Sequence, residues 1–277
     1  MEVVTLPFMK VNDVQLYYEE KGPDFGEPLV FLNGIFMSTA SWRLMVPFFE
    51  RSYRVVLHDF RGQWNSGKPE EPYSLHQHAR DLKGLLEHLD LDKVHIVGTS
   101  YGGEVGLCFA LEFPERVRSL TVISSVSEIR PHLKYMARRW LNAAKTHDPE
   151  IFVCEWIGDV YSEEFLQKHR EYLWERLVQL YQTFDYNAAI RLLESFLELE
   201  TSPLTPKLEH LSTPTLVLAA ERDLVKPLEY SRIIAQTVPQ AQFHIIPDAG
   251  HGVVIEKPKK TSTVILGFLA SLGTTLD

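Results

Sequence analysis

Short, nearly continuous apolar runs recur along this chain and limit what it can fold into. PLVFLN (28–33), YRVVLHD (53–59), VHIVG (94–98), SLTVIS (119–124), TLVLAA (215–220) and FHIIP (243–247) are rich in β-branched residues and too short for helices. A strand tolerates such a run when both of its faces are covered, as in the interior of a parallel sheet. Helical segments fall between the runs. Leu75 to Leu89 places Ala79, Leu82, Leu85, Leu86 and Leu89 on one face. Tyr101 to Phe113 stops at Pro114, and Leu228 to Val238 stops at Pro239. Ser41 to Phe49 and Thr261 to Leu272 complete the set. Repetition of strand, helix, strand predicts an α/β sheet with right-handed crossovers. Ahead of it, Val14, Leu16 and Tyr18 alternate with Gln15, Tyr17 and Glu19 after a turn at Asn12-Asp13, which predicts an antiparallel hairpin.

One region breaks the rhythm. Between about Ser127 and Pro206 the pattern is helical and aromatic, with Tyr135, Trp140, Phe152, Trp156, Tyr161, Tyr181 and Phe184 among its rings, and it ends in the loop-like TSPLTP. We read 127–206 as a helical cap inserted into a core domain made of 1–126 and 207–277. Most of its aromatics are expected to pack among themselves and a minority to line a pocket.

Composition narrows the function classes. The net charge of −9 lacks the clustered Lys and Arg of a nucleic-acid binder. The short basic cluster Lys257, Lys259-Lys260 reads as a solvated helix start. No apolar run reaches the length of a membrane span, and MEVVTLPFMK lacks the basic-then-apolar pattern of a signal peptide, so a cytoplasmic location is expected. The two cysteines, Cys108 and Cys154, are expected to be reduced and buried.

The candidate chemistry centres on VHIVGTSYGGEVGLCFA (94–110). Gly98-Thr99-Ser100-Tyr101-Gly102 fits G-x-S-x-G between a strand and a helix. In that turn the serine adopts an unusual backbone conformation, and side chains two residues away on either side would collide. The helix start at Tyr101 aims N–H groups and the positive end of a dipole at developing negative charge. A serine hydroxyl needs a base. Of the eleven histidines, His58, His95 and His244 sit within strands, and His76 and His78 form an H-Q-H pair with no third metal ligand in view. His251 follows the last strand on a loop between glycines, at the sheet edge where sites in open α/β folds collect. Asp223 follows the preceding strand and would orient the histidine, with Glu221 and Glu128 as alternative acids. Asp248 reads as a turn residue.

GTSYGG, the AAERD and DAGH loops, HDFRGQWNSG (58–67) and FLNGIFMSTASW (31–42) together resemble the α/β-hydrolase superfamily over nearly the whole chain. The resemblance implies a mostly parallel eight-stranded sheet flanked by helices. It also implies a Ser100, His251, Asp223 triad and an oxyanion hole from the backbone N–H groups of Ile35 and Tyr101. Asp59, Arg61, Gly62 and Ser66 match a family loop that is mainly structural. Two positions depart from the pattern: Asn33 stands where the family commonly has histidine, and Gln63 replaces a glycine. NGIFMSTASW is similar to some acyltransferases of the superfamily.

The expected activity is hydrolysis of a small to medium carboxylic ester or lactone through an acyl-serine, with no metal and no organic cofactor. Phe36, Met37 and Trp42, with Trp140 and Trp156 from the insertion, are candidate pocket walls. An acyltransferase or thioesterase acting on hydroxyacyl thioesters, or a carbon–carbon bond hydrolase, would use the same triad, and a ligand-binding protein without turnover is a reading from another class. The expected partner is a small ester, lactone or thioester. Monomer and homodimer are both left open.

Overall fold

The computed structural model describes residues 7–273. Eight strands form one sheet in the order β1-β2-β4-β3-β5-β6-β7-β8. The hairpin is β1 (Phe8–Val11) and β2 (Val14–Lys21), turned at Asn12, whose φ is 51°. Strand β2 runs antiparallel to β4 (Tyr53–His58). From β4 onward all pairings are parallel, through β3 (Glu27–Leu32), β5 (Val94–Thr99), β6 (Val117–Ile123), β7 (Thr215–Ala220) and β8 (Gln242–Ile246).

Burial on both faces explains the continuous apolar runs. Along β3, Val30 and Leu32 join one core cluster while Leu29 and Phe31 join the other. Strand β4 repeats the split, with Val56 on one side and Val55 and Leu57 on the other. The first face is covered by α1 (Leu75–His88), α2 (Tyr101–Glu112) and α7 (Leu228–Thr237). The second face is covered by α8 (Val253–Glu256), α9 (Pro258–Ser271) and the segment around Trp42 and Phe49.

That last segment is not the helix expected over 41–49. It forms two 3-10 turns, Thr39–Trp42 and Val46–Phe48. Pro47 has no N–H to donate and its ring obstructs the preceding turn, so a continuous α-helix cannot run through it. Helix α9 also begins earlier than the apolar pattern shows, with Pro258 opening its first turn. Lys259 and Lys260 are exposed there, as expected. Cys108 is buried, but Cys154 is exposed, because its helix, Pro149–Val160, turns Phe152, Val153 and Trp156 inward and leaves 154 on its outer side.

Between β6 and β7 the chain forms α3 (Pro131–Ala144), α4 (Pro149–Val160), α5 (Glu163–Tyr181) and α6 (Tyr186–Leu197). Their rings pack mutually, with Phe152 against Tyr181, Phe184 and Tyr186. Phe36 of the core reaches into this cluster, edge-on to Phe152 and Phe184. Among the described residues no helix is long and apolar enough to cross a membrane.

Two neighbouring buried groups at the end of β4 give the fold a pH signature. Burial alone pulls the His58 imidazole down from 6.5 to about 4. Unfolded chain takes up this proton near the ordinary value and folded chain does not, so the stability His58 contributes is full above that value and is lost as pH falls towards 4. Asp59 acts in the opposite sense, since burial raises its carboxyl to about 6 against the N–H groups of Asn65 and Thr39 and the Asn33 amide. The wild-type curve alone therefore mixes the two. We expect His58→Leu to gain stability relative to wild type as pH is lowered from 7 to 4, measured by urea unfolding at each pH.

Candidate active site

The turn from β5 into α2 carries Ser100 at φ 52° and ψ −120°, outside the helical and strand regions. Its glycines are required by packing. A Cβ at Gly98 would lie 2.3 Å from the Gly102 carbonyl oxygen, and one at Gly102 would lie 2.1 Å from that of Leu32. The strained serine is held from below. Its N–H donates to the Ile123 carbonyl at 2.8 Å, and Ser125 Oγ donates to the Ser100 carbonyl.

Loops at the carboxyl ends of β5, β7 and β8 bring three side chains together. His251 Nε2 lies 2.9 Å from Ser100 Oγ, and His251 Nδ1 lies 2.8 Å from Asp223 Oδ2. The Asp223 side chain is fully buried. Its other oxygen accepts the backbone N–H groups of Val225 at 2.9 Å and Lys226 at 2.7 Å, which fixes the carboxylate's plane. With Nδ1–H donating to Asp223 Oδ2, Nε2 is the nitrogen that accepts from the Ser100 hydroxyl. The alternative acids lie elsewhere. Glu128 accepts from Thr205 and pairs with Arg130, and Glu221 accepts the Asp248 N–H. Asp248, at φ 55°, shapes the turn ahead of His251.

Ile35 and Tyr101 line one small cavity with Ser100. As the first residue of α2, Tyr101 has an N–H with no partner inside the helix. The Ile35 N–H belongs to the Gly34–Ile35 peptide, and this unit is held through its other end: Gln63 Nε2 donates to the Gly34 carbonyl at 2.9 Å. Because N–H and C=O point oppositely in a trans peptide, the bond fixes where the Ile35 N–H points. Asn33 Nδ2 donates in turn to Gln63 Oε1 at 3.2 Å, to Asp59 Oδ1 at 3.2 Å and to the His58 carbonyl at 3.1 Å. The two residues that depart from the family pattern are therefore bonded to each other.

This network also moves Trp42 away from its expected place. Trp42 Nε1 donates to Asn33 Oδ1 at 2.8 Å, and the ring is fully buried beside Phe31 in the core on the other face of the sheet. It lines neither cavity at Ser100. Asn33 needs a donor for its carbonyl oxygen, and the indole supplies it from below the loop. The other four residues named with it lie elsewhere. Phe36, Met37, Trp140 and Trp156 line a cavity of about 200 Å³ with Ser100 and His251. Phe36 holds φ 65°, a conformation rare for a bulky side chain, and its carbonyl accepts from Trp64 Nε1 at 2.7 Å. Trp64, Val160, Tyr161, Leu177 and Tyr181 complete walls that sequence reasoning did not single out. Nothing in local patterning marks them, since their role depends on how the inserted helices dock.

A buried ion pair adjoins the serine and was also missed. Lys226 Nζ lies 3.1 Å from Ser100 Oγ and 2.7 Å from Glu104 Oε1, and its side chain is 4% exposed. Glu104 is fully buried, and burial raises its carboxyl above the ordinary range against the attraction of Lys226. The two histidines of the H-Q-H stretch point to different surroundings. His78 is buried against Phe60 and Tyr101, while His76 contacts Glu112 and Cys108.

A family model described as alpha/beta hydrolase fold matches residues 27–258. The chain belongs to the alpha/beta hydrolase family. It is similar, at 32% identity and a TM-score of 0.89 over 98% of both chains, to an alpha/beta hydrolase enzyme from a Medee basin deep-sea metagenome library. A thermophilic esterase from Thermogutta terrifontis is 28% identical, with a TM-score of 0.84 over 95% of each chain. Among curated proteins, one from Azorhizobium caulinodans named "Putative carbamate hydrolase RutD" is 25% identical over 96% of this chain and 99% of its own length.

The packing at the turn is testable. Gly102→Ala forces a Cβ onto a backbone oxygen that cannot move aside and should destabilise by about 3 kcal/mol or more in urea unfolding. Gly158 on α4 has nothing within 4 Å of a built Cβ, so Gly158→Ala should be neutral or slightly stabilising.

Proposed function

We propose that this hydrolase cleaves carboxylic esters through an acyl-serine intermediate, with Ser100 as nucleophile, His251 as base and then acid, and Asp223 as its orienting partner. The observation that carries this reading is the continuous hydrogen-bonded chain from Asp223 through His251 to Ser100 Oγ, with steps of 2.8 and 2.9 Å. Ser100 Oγ attacks the carbonyl carbon as its proton passes to His251 Nε2. The N–H groups of Ile35 and Tyr101 stabilise the oxyanion, each supplying about 3 kcal/mol in the transition state. The tetrahedral species collapses as His251 gives the proton to the leaving oxygen. Water, deprotonated by His251, then attacks the acyl-enzyme, and His251 gives that proton to Ser100 Oγ as the acid leaves.

The two cavities divide the substrate. The leaving oxygen has to meet His251, so the alcohol part occupies the cavity of about 200 Å³ that His251 lines. The acyl part then faces the small cavity of about 20 Å³ beside Tyr101 and Lys226. That favours a short acyl group, within the small-to-medium range expected from the sequence. The helices at 131–197 act as a lid, dividing the chain into core 1–126 and 207–277 and cap 127–206. The thermophilic esterase relative supports ester chemistry. A carbamate, the substrate class in the name of the Azorhizobium caulinodans relative, also carries an acyl carbon open to attack by such a serine.

The test is hydrolysis of p-nitrophenyl esters of increasing acyl length. Acetate and propanoate should turn over fastest, and Ser100→Ala should lose about four orders of magnitude or more in kcat/KM. Absence of turnover by wild type at every length would overturn the reading. Gln63→Ala, which frees the Gly34–Ile35 peptide, should lower kcat about tenfold or more with little change in KM, as expected for a donor engaged mainly in the transition state.

A further inference from the structure

We propose that Lys226 makes the acyl cavity selective for short acyl groups bearing an oxygen on the carbon next to the carbonyl, as in 2-hydroxy and 2-oxo esters. The inference rests on the serine-hydrolase reading above and names the substrate class for it.

The ammonium of Lys226 is nearly fully buried and its protons have few acceptors. One goes to Glu104 Oε1 at 2.7 Å and one to Ser100 Oγ at 3.1 Å, and the group lies 4.9 Å from the centre of the Phe196 ring. The remaining cavity wall near it, including Leu133, Met136, Ala137 and Leu193, is apolar. In the free enzyme this arrangement is balanced, since Ser100 Oγ accepts from Lys226 and donates to His251. Acylation changes that balance. Oγ becomes the singly bonded oxygen of an ester, whose lone pair is delocalised into the carbonyl, and it accepts hydrogen bonds poorly. The ammonium proton that Oγ held is then left inside an apolar wall.

Glu104 does not take up that proton well. Its Oε2 has no partner, but it belongs to the carboxylate already bonded through Oε1, so a second proton of the same ammonium could reach it only along a strongly bent line. An oxygen on the acyl α-carbon stands three bonds from Oγ and comes within reach of the same ammonium. A 2-hydroxy or 2-oxo acyl group therefore satisfies the donor, and a purely alkyl group leaves it unpaired. A site with a buried polar group discriminates strongly against a substrate that leaves the group without a partner. The cavity is small, at about 20 Å³, which favours a short acyl part, and lactyl and isobutyryl groups differ little in the space they need there.

The decisive comparison is ethyl lactate against ethyl isobutyrate, in which a hydroxyl replaces a methyl of similar size. Their kcat/KM ratio with wild-type protein is divided by their rate ratio in hydroxide-catalysed hydrolysis, which removes intrinsic reactivity. We expect an excess preference for the lactate of about tenfold or more. Lys226→Met combined with Glu104→Gln, which removes the donor without leaving a buried carboxylate unpaired, should abolish that excess. An excess near one with wild-type protein overturns the inference, and so does an excess that persists in the double variant. The wild-type comparison stands even if the double variant does not fold. If wild type cleaves no p-nitrophenyl ester of any acyl length, the hydrolase reading falls and this inference falls with it. If it cleaves one of them but shows no excess, only the inference falls.

Discussion

The close approach of α2 to β3 is the contact around which the site is built. Gly102 lets the first turn of the helix lie against the Leu32 carbonyl, and Gly98 lets the strand pass under the same turn. With those two positions empty of side chain, Ser100 is forced into a left-handed conformation at the end of the central strand. Such a conformation costs about 1–3 kcal/mol and persists only where the surroundings over-determine it. Here they do, through the Ile123 carbonyl, Ser125 and the packed helix. The same approach places the start of α2, at Tyr101, beside Ser100. A structural contact between two backbones thus sets both the proposed nucleophile and one proposed oxyanion donor.

The second proposed donor, the Ile35 N–H, depends on a separate network. Asn33 gathers Gln63, Asp59 and Trp42 around itself, and Gln63 carries the constraint to the Gly34 carbonyl. Each side-chain amide both donates and accepts, so the network closes with the Asn33 and Gln63 amides each bonded at both ends. Phe36, strained next to the same peptide, inserts its ring among those of the inserted helices. The loop that supplies the donor is therefore tied to the sheet below and to the helices above.

Charge near the nucleophile is confined to short distances. The protein is acidic overall, yet the atoms within reach of Ser100 Oγ include an ammonium whose counterion, Glu104, lies on α2. Burying such a pair costs several kcal/mol in desolvation for each ion, which is seldom recovered in stability alone. Its position at the reacting oxygen gives the pair a chemical rationale that a purely structural ion pair would lack.

How much of this was legible in the sequence follows from the range of the interactions. Apolar runs report burial on both faces, so they marked the parallel strands; G-x-S-x-G between such a run and a helix marks a backbone conformation, so Ser100 could be read directly. Asp223 and His251 were readable because each follows a strand, and parallel strands deliver their carboxyl ends to one edge. The 3-10 turns around Pro47 depended on a single residue that outweighs local periodicity. Trp42 was misplaced because an indole beside a site loop can face the cavity or the core, and only the Asn33 carbonyl beneath the loop decided which. Lys226 and Glu104 lie more than a hundred residues apart, separated by 122 positions, and neither belongs to a motif. Local pattern determined the sheet, the turn and the identity of the three central side chains. Their partners, the pairing of Asn33 with Gln63 and the cavity walls were decided by tertiary packing, because those contacts join segments distant in sequence whose composition carries no trace of the neighbour they will meet.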